Sequence, residues 1–332
     1  MHIIQTSPPG TRTPDLDALS IKHHAEQCLY FDIETTGLSA KTSFVYLIGC
    51  MYLEQGAWQL RQWYISKSSE EFEMLENFFA FIRPFTCIIH YNGRSFDLPY
   101  LQNKARAYLL PEPFSGKDSV DLYSELRPYA KVLGMDTMRL PALEQRLGIQ
   151  RQDHYSGKEL IPIYHSWQKT KTPKQLDKLL LHNQEDITSL MAVTESLAVP
   201  RILTGSFSLQ SSQNTETDYV LRAKTTAVSP IQIKYCTPFG ALTLQEQMLC
   251  VTLPLKDHSF RLYYPNVKDY VYFPKEDMAI LKTLAMNRDK NICIPATIRT
   301  CYQWIYMSAG QTLPSREEER ILRYYMQTLL LF

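Results

Sequence analysis

The apolar pattern of the first third of the chain is strand-like. Cys28–Ile33, Phe44–Leu53 and Trp58–Ile65 read as three strands, and Glu54-Gln55-Gly56-Ala57 reads as the hairpin turn between the last two. Helical spacing follows. Ser68 and Glu71 stand at capping-box distance, and Phe72, Leu75, Phe78, Phe79 and Ile82 recur at a helical period until Pro84. Cys87–His90 is a short apolar run, as in a strand buried on both faces. The pattern then predicts a helix over Leu98–Leu109 and a short element at Val120–Tyr123 leading into a helix. An amphipathic helix over Thr137–Leu147 ends at Gly148, and a long helix opens at Pro173 and ends before Pro200. Three strands followed by a strand among helices make a mixed α/β arrangement with an antiparallel start.

Beyond this the pattern changes. Around Gly205–Asp218 the residues turn to Ser, Gln, Asn and Thr, as in a linker. Strand-like runs follow at Tyr219–Thr226, Ile231–Tyr235, Gly240–Leu255 and Phe260–Tyr264, with helical patterns at Glu276–Met286 and Ser315–Leu331. The terminal Leu-Leu-Leu-Phe run is expected to be buried or to form an interface. The expected organisation is a loose leader over 1–26, an α/β domain over 27–200, a linker over 201–218 and a smaller β-rich and α extension over 219–332.

Composition narrows the function classes. With 45% hydrophobic and 21% charged residues in 332, the chain is an ordinary globular one, which excludes disorder over most of it. Lys and Arg number 35 against 34 Asp and Glu, so a polybasic coat is absent and any phosphate contact must be local. Residues 1–200 carry 20 basic and 23 acidic side chains and the remainder 15 and 11, an excess too small to mark a nucleic-acid surface. No apolar run approaches the roughly 18 residues of a membrane span, so no membrane partner is expected. The start of the chain lacks a cationic segment followed by an apolar one and reads as a leader rather than a signal peptide. Its 7 cysteines form no Cys-x-x-Cys pair, which argues for free thiols in a reducing cytoplasm.

Three acidic elements carry the candidate chemistry. The first strand ends Asp32-Ile33-Glu34-Thr35-Thr36-Gly37-Leu38, and two carboxylates two apart on a strand point to the same face. Side by side they repel, a cost that a hard divalent cation relieves. The second element is His90-Tyr91-Asn92-Gly93-Arg94-Ser95-Phe96-Asp97 after the buried strand, where Asp97 could equally cap the next helix. In the third, His182 and Asp186 stand four apart on one helix face, as a ligand pair or a structural ion pair would. Asp121 reads as a helix cap. Arg139, Arg146, Arg151 and Lys158 read as solvated charges rather than a basic rim.

Taken together, in this order, the three elements resemble the three exonuclease motifs of the DEDD (DnaQ-like) superfamily. Val120-Asp121-Leu122-Tyr123, Leu143-Glu144-Gln145-Arg146-Leu147-Gly148-Ile149 and His182-Asn183-Gln184-Glu185-Asp186-Ile187 are similar to its YprB-like ribonuclease-H-like group. The resemblance spans roughly residues 28–198. It implies a ribonuclease-H-like mixed sheet flanked by helices and a metal-dependent 3′–5′ exonuclease acting on DNA or RNA with two divalent ions, Mg²⁺ or Mn²⁺. Asp32, Glu34, Asp97 and Asp186 are the implied metal ligands, with His182 as the catalytic base. Thr35, Thr36, Gly37 and Leu38, with Tyr91, Asn92 and Arg94, are the implied substrate contacts. A histidine here occupies the four-residue spacing that the family gives to tyrosine, while Leu181 stands where the family histidine falls. The competing readings are a structure-selective endonuclease and a non-catalytic nucleic-acid-binding subunit; a helicase or other repair or processing protein is the expected partner.

Overall fold

Eight consecutive buried residues in one strand require a sheet covered on both faces, and the first strand of the hairpin, with Val45 to Tyr52 all buried, meets that requirement. The structure, a computed structural model, describes residues 1–286, 292–308 and 310–329; the terminal Leu-Leu-Leu-Phe run lies outside them after its first residue, and so does the expectation for it. The chain forms two compact units, one of Met1–Arg127 with Met138–Leu197, the other of Pro128–Thr137 with the residues from Ala198 on.

The first unit contains β1 (His2–Thr6), β2 (Cys28–Thr35), β3 (Val45–Glu54), β4 (Ala57–Tyr64), α1 (Glu71–Phe81), β5 (Cys87–His90), α2 (Asp97–Ala107), β6 (Asp118–Asp121), α3 (Leu122–Leu126), α4 (Leu140–Arg146), α5 (Gly157–Thr170) and α6 (Pro173–Glu195). Its six-stranded sheet runs β1-β4-β3-β2-β5-β6; the first four strands pair antiparallel, and β5 and β6 continue parallel to β2. Phe31, Trp63 and Phe78 meet in one aromatic cluster between the sheet and α1, and each such side chain contributes about 1.5–3 kcal/mol by burial. Tyr164 of α5 stacks on Tyr46 of β3 with ring centres 4.2 Å apart. The long α6 lies against β2 and β3, and Gly49 of β3 permits this approach: a Cβ there would fall 2.0 Å from Asn183 Oδ1 and 2.3 Å from Ile187 Cδ1.

Several expectations are corrected. The supposed leader is not loose, because β1 pairs with β4 over five residues and Leu16, Leu19 and Ile21 are buried. No capping box forms at Ser68; Glu71 turns inward instead, where Lys104 and two hydrogen-bond donors receive it. Helix α5 was not expected, although Ser156 and Glu159 close a capping box at its start and Leu160, Tyr164 and Trp167 form its buried stripe.

The second unit contains α7 (Ala198–Leu203), β7 (Phe207–Asn214), β8 (Asp218–Thr237), β9 (Gly240–Pro254), β10 (Ser259–Tyr263), β11 (Tyr270–Phe273), β12 (Met278–Leu281), α8 (Lys282–Ala285), β13 (Ile294–Pro295), β14 (Tyr302–Tyr306) and α9 (Ser315–Leu329). The presumed linker is largely strand: β7 pairs antiparallel with β8, its polar side chains facing outward. The long helix α6 ends at Glu195, before Pro200 as expected, and Pro200 itself lies inside the short α7. The Glu276–Met286 segment is not one helix either, since Met278–Leu281 pairs with β11 before a single helical turn. Along β8, Tyr219, Leu221, Ala223, Ala227, Ile231 and Ile233 are buried in alternation with exposed positions, as a sheet with one covered face requires.

Candidate functional site

Alternation along β2 sends Asp32 and Glu34 to one face, the face that α6 covers. Glu34 is buried, and the register of β2 against β3 slips between Glu34 and Thr35, which ends regular pairing beside the site. Asp97 opens α2 as its first helical residue rather than as the cap, and its side chain is buried. From α6 come His182, Asn183 and Asp186.

These side chains converge. Single ligand atoms of Glu34, His182 and Asp186 lie within 4.8 Å of one another. His182 Nε2 is 3.4 Å from Glu34 Oε1 and 3.5 Å from Asp186 Oδ2. Asn183 Nδ2 donates to Asp32 Oδ2 at 3.1 Å, while Asn183 Oδ1 accepts from Gln62 at 3.0 Å. Asp32 and Asp97 belong to the same electrostatic cluster. Burial, then the charges of Asp97, Asp186 and Glu34, push the Asp32 carboxyl well above the usual range. Burial lifts Glu34 to about 8, with Asp186 and Asp97 adding to it and His182 opposing. Burial lifts Asp97 to about 7, against hydrogen bonds from backbone amides. Burial works against a charged His182 ring, but Asp186, Glu34 and Asp153 together outweigh it and raise its pKa.

A neighbouring loop contributes residues that the motifs do not mark. Arg151 places Nη1 2.6 Å from Asp186 Oδ1 and 3.2 Å from Glu144 Oε2. Asp153 Oδ2 is 2.6 Å from His182 Nδ1. Glu185, next to Asp186, accepts the backbone N–H groups of Gln152 and Asp153, each at 2.9 Å, and so clamps the loop onto α6. Arg151 is therefore not a solvated charge. A run of Arg-x-Asp just before a capping box was the available signal for this loop; Asn183 and Glu185 lie inside the His182–Ile187 segment that carries the resemblance, but the motif gives them no role there.

The expected substrate contacts differ among themselves. In the Thr35-Thr36-Gly37-Leu38 turn, Thr35 Oγ1 donates to the Gly37 carbonyl at 2.9 Å and Thr36 N to the Phe44 carbonyl at 3.0 Å, which leaves the Leu38 side chain 88% exposed. Tyr91 is half-buried and spends its hydroxyl on the Met138 carbonyl at 2.6 Å. Asn92 has φ 61° and gives its N–H to Asp121. Arg94 is exposed, with one Nη bound to the Ser119 carbonyl. Asp121 caps α3 by accepting from Ser124 N and also receives Asn92 and Arg94 backbone amides, the capping role its position suggested.

Cations could be held here by an all-oxygen set. Glu34 and Asp97 are buried and Asp32 is half-buried beside them, and the nearby basic groups are the His182 ring and the Arg151 guanidinium, which faces Asp186. That donor chemistry fits hard divalent ions. Among the described residues no helix is long and apolar enough to cross a membrane.

A family model described as RNase H superfamily matches residues 29–198. The "Uncharacterized protein YprB" of Bacillus subtilis (strain 168) is 25% identical over 175 residues, covering 52% of this chain and 42% of YprB, so the chain spans well under half of that relative. Among solved structures, a family B DNA polymerase from Pyrobaculum calidifontis is similar at TM-score 0.40 and 13% identity, over 58% of this chain and 33% of that one. Another, described as "apo form of the nuclease", is similar at TM-score 0.36 and 18% identity, over 57% and 78%. Likeness at that level decides nothing about chemistry.

Proposed function

From the premise that the chain belongs to the RNase H superfamily, we propose that it is a metal-dependent nuclease, and specifically a 3′–5′ exonuclease on DNA or RNA. The observation that supports this reading is the convergence of four carboxylates, Glu34 and Asp97 buried and Asp32 and Asp186 half-buried, on a sheet and helix with little positive charge to offset them. Asp32, Glu34, Asp97 and Asp186 would hold two divalent ions, Mg²⁺ or Mn²⁺. Bound there, such ions would stabilise charge at phosphorus, supply hydroxide and assist the leaving alkoxide.

The chain's own groups do the rest. His182 Nε2 faces the carboxylate cluster and takes the proton of the attacking water, a task worth about 10²–10⁴-fold. The Thr35–Leu38 turn lies beside the 3′ nucleotide, and the exposed Leu38 side chain packs on its base. Tyr91 offers only its ring face, since its hydroxyl is engaged; Asn92 shapes the turn, and Arg94 offers its remaining guanidinium donors to a phosphate.

The test is a panel of 3′- and 5′-labelled DNA and RNA oligonucleotides, single- and double-stranded, with Mg²⁺ or Mn²⁺. Stepwise loss from the 3′ end is expected. Internal cuts alone would replace the reading with an endonuclease, and no cleavage of any substrate with either ion would overturn it.

A further inference from the structure

A histidine serves as a base through one nitrogen only, so something must decide which nitrogen carries the resting proton. Helix α6 supplies both His182 and Asp186 but nothing to His182 Nδ1. That atom meets Asp153, which lies 29 positions earlier, on the loop before α5. We propose that Asp153 is the positioning residue of this site: it holds the proton on Nδ1 of His182 and turns Nε2, as a free lone pair, toward the carboxylates. The inference rests on the nuclease reading of the same site.

The geometry is that of a built contact. The Oδ2–Nδ1 separation of 2.6 Å is as short as the tightest charge-assisted hydrogen bonds, and the Asp153 side chain is only 2% exposed. A carboxylate oxygen at this distance is matched by a proton on Nδ1, as proposed. Asp153 is itself held from three directions: Glu185 takes its backbone N–H at 2.9 Å, Arg151 Nη2 stands 3.7 Å from Oδ2, and Oδ1 accepts from Tyr155 N at 3.3 Å. Without this acceptor the ring is free to adopt the Nε2–H form, which presents a donor to the attacking water instead of a base. The pairing also accounts for how a histidine works at the four-residue spacing. Its ring orientation is set from outside α6, by a loop that the helix clamps with Glu185.

Two readouts test the proposal, one of them independent of activity. Ring ¹⁵N–¹H correlation spectra of the metal-free protein, taken at alkaline pH where the imidazole is neutral, report the tautomer. Wild type should show Nδ1–H and Asp153→Asn should show Nε2–H. With Mn²⁺ present, kcat of Asp153→Asn should fall by about 10²-fold while KM and Mn²⁺ affinity stay within about twofold. Asp153→Glu, which keeps an acceptor, should retain Nδ1–H and recover part of kcat. An Nε2–H ring in the wild type, an unchanged tautomer in Asp153→Asn, or a kcat within about threefold of wild type would each overturn it. If the wild type cleaves no oligonucleotide, the nuclease reading falls, and the ring spectra still decide whether Asp153 sets the tautomer.

Discussion

Two buried acidic regions of the first unit are built on opposite terms. Glu71, at the start of α1, is 2% exposed and fully provided for: Lys104 Nζ lies 3.0 Å from Oε2, Tyr108 donates to the same oxygen at 2.6 Å, and Val45 N donates to Oε1 at 2.8 Å. Glu34 and Asp97 are also buried and Asp32 is half-buried beside them, yet the main neighbours of each include other carboxylates. Burial of an acid therefore does not mark function. What distinguishes the two regions is that Glu71 meets a lysine and neutral donors, whereas Asp32, Glu34 and Asp97 also meet one another, a repulsion that a bound cation would relieve. The first arrangement fastens α1 and α2 to β3; the second gathers like charges in one place.

The sharpest break of this contrast is Asp32→Asn. Turnover should vanish, while the metal-free protein keeps or gains thermal stability, because removing one like charge relieves its neighbours. Wild-type turnover at saturating Mn²⁺ would defeat the idea. Glu71→Ala should do the reverse, costing about 3–5 kcal/mol in urea unfolding by leaving Lys104 buried and unpaired, with kcat per folded molecule unchanged. A loss below about 1 kcal/mol would show that the two regions are not different in kind. His182→Ala is intermediate, with turnover down by about 10²-fold and Mn²⁺ affinity nearly constant by calorimetry.

The pH dependence of stability sharpens the contrast further. Glu34 rises from the usual 4.5 to about 8 and Asp97 from 3.8 to about 7. A group whose folded pKa is raised binds its proton more tightly when folded. Its contribution is complete below the unfolded pKa and is lost as pH rises through the folded value. The melting temperature of the metal-free protein should therefore carry a falling component from about pH 4 to pH 8, and saturating Mg²⁺ or Mn²⁺ should offset it at the alkaline end. A melting temperature insensitive to divalent ions at pH 8 would count against the cluster as their site. The smallest effect belongs to Leu38→Ala: stability should change by no more than about 0.5 kcal/mol because the side chain is 88% exposed, while KM for oligonucleotides rises. An unchanged KM would remove Leu38 from the substrate contacts.

Local order carried much of the reading. The strands β2 to β5 and the helix α6 were legible because alternation, continuous apolar runs and helical period are properties of adjacent residues. Asp32, Glu34, Asp97, His182 and Asp186 were legible because each lies in a short motif. By contrast β7, rich in Ser and Gln, has no apolar alternation of its own, and its strand state comes from its pairing with β8. Helix α5 carries Pro162 and a mixed stripe, which obscured a capping box that was present in the letters.

What the chain determined by itself was the supply of parts: apolar periods that commit segments to strand or helix, and the pairs Asp32/Glu34 and His182/Asp186 spaced so that each shares a face. Those follow from backbone geometry over a few residues. Only the tertiary structure decided the partners. It joined β1 to β4, required Gly49 so that α6 could approach β3, gave Glu71 to Lys104 across 33 positions, and brought Arg151 and Asp153 against α6. The reason is physical: a side chain's charge and hydrogen-bonding capacity are written in its residue type, but which group satisfies them is set by packing between segments far apart in the chain, and such contacts leave no period in the sequence.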